Sequence, residues 1–116
     1  MTEGPRLPRA RHAVIPTIKL TGYVLDPEHP RGRHKARVFA SALGIRKPDW
    51  RHLHGAILAG VAEAPVRGTR ITAFGVLYDV LVLVDGLNGA TKPVATIWMV
   101  EPDRPPRLVS AWVDIP

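Results

Sequence analysis

The sequence predicts an α+β domain in which two N-terminal helices pack on an antiparallel β-meander sheet of three to five strands. Two observations carry this. As far as Val61, apolar residues recur at the ~3.6-residue helical period, whereas from Arg70 onward the chain is β-branched and apolar, cut by the turn sequences "LNGATKP" and "PDRPP". Helices first and strands afterwards give helices lying on a sheet, not a parallel sheet with crossovers. The 116 residues make one domain, long enough for a core without disulfides.

Residues 1–13 read as a flexible basic arm and 14–116 as the domain. Pro5, Pro8 and Pro16 interrupt the N-terminal stretch, and it lacks the apolar run of a signal peptide. "IPTIKLTGYVLD" stays open between a strand, favoured by its β-branched residues, and a short helix opened by Pro16, favoured by the spacing of Leu20, Tyr23 and Val24. "DPEHPRG" is then a turn. The next helix spans 33–43 and stops at Gly44, with Ala36, Phe39, Ala42 and Leu43 as its apolar stripe. Arg33, Arg37 and Ser41 lie opposite, Lys35 falls inside the stripe, and His34 does not. "KPDW" opens the following helix with Asp49 as N-cap, and Trp50, Leu53, Ile57 and Val61 form its core face, bordered by His54. Residues 70–86 read as one long central strand, 94–101 as a second strand and 107–115 as a third.

The absence of cysteine excludes disulfide frameworks, thiolate zinc sites and a cysteine nucleophile. No apolar run approaches the ~20 residues of a membrane span, so no membrane is expected among the partners. Formal charge is +6 and its distribution is uneven: residues 28–54 hold seven Lys/Arg against two acids and four of the five histidines, while residues 55–116 hold five Lys/Arg against six acids. A localised excess of this kind suits an acidic partner: nucleic acid, an anionic surface or an acidic protein.

The run "IKLTGYVLDPEHPRGRHKARVFASALGI", the later "GT" and "TIWMVEPDRPPRLVSAWV" resemble a family of small bacterial domains of unknown function. That family is associated with ribonuclease toxins sharing the barnase, EndoU, colicin and RelE-like (BECR) fold. The resemblance spans roughly residues 15–115. It rests on Pro30, Gly32, Lys35 and Ala36 before and on the first helix, Trp98 on the penultimate strand, and Pro106, Arg107, Leu108, Val109 and Ser110 on the last. Ser110 stands where the family pattern has threonine, which keeps the hydroxyl.

The resemblance implies a toxin-like, metal-independent endoribonuclease. Such chemistry needs a base for the 2′-hydroxyl proton, an acid for the leaving oxygen, and fixed cations around the phosphorane-like transition state. The catalytic candidates are His34, Lys35, Arg107 and Ser110, and the substrate-binding candidates are His29, Arg31, Arg33, Arg37, His54 and Trp98. By strict alternation Arg107 faces away from Ser110, so one site holds both only if the strand bulges or the site sits at the strand's end. Trp98 could stack a base, but a tryptophan in a strand such as "TIWMV" is more often a core residue, and core is the favoured reading. His52 and His54 lie about 200° apart on a helix and cannot share a metal, so no metal or cofactor is expected. The implied partners are RNA and a small acidic antitoxin or immunity protein, and the implied place of action is the cytoplasm of the producing or a target cell. The rival reading is a non-catalytic basic module that binds nucleic acid or an acidic protein through the same surface.

Overall fold

The structure, a computed structural model, describes residues 4–115. Pro16 precedes α1, Thr17–Lys19, which runs on as a π-helical turn over Leu20–Val24. The ambiguous "IPTIKLTGYVLD" run is therefore helical, with Leu20 and Val24 buried and Ile18 exposed. The second helix, α2, spans Gly32–Val38 and continues as a π-helical turn over Phe39–Leu43, ending at Gly44 with φ 66°, a left-handed stop that glycine adopts freely. Its last carbonyls are capped from a turn between two strands: Leu87 N–H donates to Leu43 O at 2.8 Å and the Asn88 amide to Ala42 O at 3.2 Å.

The third helix, α3, spans Trp50–Val61, starting where "KPDW" placed it. Asp49 precedes it, but its carboxylate does not cap α3. It accepts the Arg46 backbone N–H at 2.9 Å and so closes the 3₁₀ turn Lys47–Asp49. Of the expected core face, Leu53, Ile57 and Val61 are fully buried, while Trp50 is only partly covered. Each fully buried side chain of this size contributes ~1.5–3 kcal/mol of apolar burial.

The sheet has four strands, β1 Val66–Thr72, β2 Gly75–Asp85, β3 Thr91–Val100 and β4 Arg107–Val113, paired antiparallel in chain order. The long strand expected over 70–86 is two strands joined by a tight turn at Ala73–Phe74. Thr72 Oγ1 accepts Phe74 N–H at 3.1 Å and donates to Gly75 O at 2.8 Å, and Gly75 takes φ 152°. A Cβ at Gly75 would lie 2.6 Å from Val100 O, so the turn also depends on close backbone contact. Ile71 before the turn and Phe74 within it are apolar yet exposed, which is why periodicity concealed the break.

The helices cover one face of this sheet. Val80, Val82 and Val84 of β2, Val94 and Trp98 of β3, and Leu108, Ala111 and Val113 of β4 meet Phe39, Leu53 and Ile57 in a single core. Residues 4–13, expected as an arm, are seated on the domain: Leu7 is buried in the core and Pro5 O accepts Val66 N–H at 2.7 Å. Residues 1–3 lie outside the described residues.

Candidate functional site

One irregularity in β4 decides which side chains meet. Ile97 pairs with Ser110 but Trp98 pairs with Leu108, leaving Val109 as an extra residue. Arg107 sits opposite Met99 and Ser110 opposite Ile97, and Met99 and Ile97, two apart on one strand, share a face. The bulge thus turns Arg107 and Ser110 to the same side of the sheet, together with Trp112.

The π-helical turn after α1 brings Tyr23 to this edge strand, and α2 brings Lys35. Lys35 Nζ lies 5.2 Å from the centroid of the Tyr23 ring and 5.9 Å from that of Trp112. Lys19, one turn before Tyr23, places its Nζ 5.8 Å from the same tyrosine ring. The His29 ring meets Tyr23 edge-on at 5.0 Å between centroids. Its Nδ1 accepts the backbone N–H groups of Arg31 and Gly32 at 3.0 and 2.9 Å, which caps the start of α2 and leaves the ring proton on Nε2. Gly32 is required here: a Cβ would lie 2.7 Å from the Tyr23 carbonyl carbon and closer still to its oxygen.

Lys19, Tyr23, His29, Arg31 and Ser110 line an open cleft of about 450 Å³. Burial raises the Tyr23 phenol pKa, but hydrogen bonds from Lys35 and Ser110, and the charges of Lys35 and Lys19, outweigh it and hold the phenol below its ordinary 10.0. An oxygen that ionises more readily, ringed by ammonium groups and open to solvent, is equipped to take a proton beside an anion. Trp112 also borders a hollow of about 410 Å³ over the outer sheet face, with Arg70 and Ile97.

The remaining candidates separate from this cluster. His34, next to Lys35 in sequence, is exposed on α2 and makes no hydrogen bond or ring contact with it among the described residues. Arg107 shares the face of Ser110 but its guanidinium is paired with Glu101. Arg33 and Arg37 line a different cleft, on the far side of α2. His54 stacks edge-on against Trp50 within α3, with centroids 6.0 Å apart. Trp98 has no exposed surface, and its Nε1 donates to Thr96 Oγ1 at 2.8 Å, so it is a core residue out of a ligand's reach. Of the sequence-based candidates, Lys35, Ser110, His29 and Arg31 therefore come together. Among the described residues no three His, Asp or Glu side chains gather in a metal-holding arrangement, and no helix is long and apolar enough to cross a membrane.

Residues 6–115 match a family described as a domain of unknown function, DUF6883. The chain belongs to this family. No curated protein matches it, and no solved structure does. The matched stretch of this DUF6883 domain contains every residue of the cleft.

Reasoning from sequence missed Tyr23, Lys19 and Trp112 as site residues. For the first two a signal was present: lysine and tyrosine four residues apart share one helical face, but only once the "IPTIKLTGYVLD" run is taken as helix. Trp112 could be found through Ser110, two residues before it on a strand and therefore on the same face.

Proposed function

We propose that this DUF6883 protein is a toxin-like, metal-independent endoribonuclease acting at the cleft between Tyr23, Lys35 and Ser110. The observation that carries the reading is the placement of the Tyr23 phenol at an open cleft beside Lys35, Lys19 and Ser110, which together outweigh burial and bring its pKa below the ordinary 10.0. In this mechanism the Tyr23 phenolate takes the proton of an RNA 2′-hydroxyl. The 2′-oxygen then bonds to the adjacent phosphorus while the bond from phosphorus to the 5′-oxygen breaks. Lys35 gives a proton to the departing oxygen, and Lys19 and Arg31 offset the charge that develops on the phosphoryl oxygens. The products are a 2′,3′-cyclic phosphate and a 5′-hydroxyl. Trp112 offers a surface on which a base can stack, a contact of ~1–3 kcal/mol.

Such an activity would damage the cell that makes it, so the proposal includes a small acidic antitoxin or immunity protein as partner and cytoplasmic RNA as target. The test is incubation of the wild type and of Tyr23→Phe with single-stranded RNA in EDTA, followed by analysis of the new ends. Wild type is expected to leave cyclic phosphate and 5′-hydroxyl ends, and Tyr23→Phe to leave the RNA intact. Intact RNA with both proteins, or equal cleavage by both, would overturn the proposal.

A further inference from the structure

The cations that the Tyr23 cleft leaves unused gather on the opposite side of α2. Arg33 and Arg37, one turn apart, stand on that side together with Arg46 and Lys47, which flank the start of the 3₁₀ turn before α3. The four rim a groove of about 670 Å³, within the roughly 300–1,000 Å³ range of ligand clefts. Its floor is aliphatic: Leu25, Ala36, Ala40 and Pro48. Among the described residues, only Lys47 of the four cations has an acidic partner, Asp26 at 3.8 Å. Three arginines thus stand around an apolar floor with no carboxylate to answer them.

We propose that this groove docks an acidic segment of another protein, which lays one aliphatic side chain on the floor and its carboxylates against Arg33, Arg37 and Arg46. The rim is complementary to such a segment, and the planar arginine forks can each take a carboxylate through two hydrogen bonds. Nucleic acid fits less well, because no aromatic side chain lines the groove to stack a base. A second copy of this chain is also a poor occupant. Its acids are scattered, and Asp79 and Asp114 are already paired with Arg67, and Glu101 with Arg107. The inference does not rest on the ribonuclease reading, since none of these residues touches the Tyr23 cleft.

The test uses the full chain and three labelled probes: a glutamate peptide with one central leucine, the same peptide with serine in place of leucine, and a uridine oligonucleotide of equal charge. Binding is read by fluorescence anisotropy and mapped by backbone amide chemical shifts. The leucine peptide is expected to bind best, with shifts at Ala36 and Ala40. Its affinity should fall by roughly tenfold or more in Arg33→Glu/Arg37→Glu, because like charges then face one another. Circular dichroism checks that this variant is folded, and Ala40→Asn, which makes the floor polar without adding or removing a charge, should weaken the leucine peptide more than the serine one. Three results would overturn the inference: no binding of the leucine peptide, equal binding of both peptides, or tighter oligonucleotide binding that depends on Arg33 and Arg37.

Discussion

Replacing Lys35 with methionine keeps an unbranched apolar stem and removes one charge. The fold should tolerate it. The Lys35 ammonium makes two cation–π contacts, with Tyr23 at 5.2 Å and Trp112 at 5.9 Å, each worth ~0.5–1 kcal/mol at a partly exposed site. The methionine sulfur regains ~0.3–1.5 kcal/mol against the same rings, and the repulsion between Lys35 and Lys19 disappears. Loss of the Lys35–Tyr23 hydrogen bond adds ~1 kcal/mol, so the net change is about 1–2 kcal/mol, a shift in Tm of several degrees. Chemistry should respond far more. Loss of one preorganised charge-stabilising group costs ~2.7–4 kcal/mol of transition-state energy, a rate fall of about 10²–10³. A third readout is independent of activity. Without the Lys35 hydrogen bond and charge the Tyr23 phenol should titrate closer to its ordinary 10.0, seen as phenolate absorbance after subtraction of a Tyr23→Phe control. Thermal melts, RNA cleavage and this titration are measured on wild type and Lys35→Met. A folded variant that cleaves as fast as wild type would remove Lys35 from the chemistry, and an unmoved phenol titration would show that Lys35 and Tyr23 are not coupled as argued.

The Tyr23 phenol pKa is lower in the folded chain than in the unfolded one, so its ionisation stabilises the fold fully above the unfolded value near 10.0, and that contribution is lost as pH falls through the lower folded value. Wild type should gain stability over Tyr23→Phe as pH rises through this alkaline window, and a constant difference in denaturant midpoint would refute it. Gly32→Ala puts a methyl group against the Tyr23 carbonyl, an overpacking cost of ~1–3 kcal/mol that outweighs the ~0.5–1 kcal/mol helix gain of alanine over glycine; a variant as stable as wild type by urea unfolding would show that α2 can shift freely. Thr96→Val removes the buried hydroxyl that accepts Trp98 Nε1–H and donates to Val80 O at 2.6 Å, and should lower stability by ~1–3 kcal/mol through the orphaned indole donor, measured by the same unfolding.

The parts of the fold that were legible are those where one face alone is buried. The stripe Ala36, Phe39 and Leu43, closed by Gly44, placed α2, because a helix packed on a sheet must repeat its apolar residues at the helical period. The β1–β2 turn was illegible because a threonine hydroxyl and one glycine make it, between exposed apolar neighbours that mimic a continuous strand. For the site, adjacency in sequence misled. His34 and Lys35 are neighbours in the chain yet point roughly 100° apart around α2, so one is solvated and the other meets Tyr23. Trp98 and Trp112 occupy similar apolar surroundings, and only the register, which sets Trp98 opposite Leu108 and Trp112 opposite Ala95, sends one to the core and the other to the outer face. The bulge at Val109 has no mark in the residues themselves. Without it Arg107 and Ser110 would be back to back.

The concentration of cations between His29 and Arg37 is at first sight badly placed, because it crowds the positive end of α2. The local geometry offsets part of that cost. His29 accepts two of the first backbone N–H groups through its ring, so the donors that make a helix N-terminus positive are partly answered there. The helix then divides the remaining charge, with Lys35 on the side of the Tyr23 cleft and Arg33 and Arg37 on the side of the groove. A helix with its side chains is roughly 10–12 Å across, close to the Debye length of ~10 Å at 0.1 M salt. At such ionic strength the groove cations therefore add little to the field inside the cleft, and the two surfaces can serve different partners. At low salt the screening weakens, and the groove then strengthens the attraction of any polyanion toward the cleft. A comparison of Lys35→Met with Arg33→Glu/Arg37→Glu therefore separates the surfaces only near physiological salt, where losses at one should leave the other unchanged.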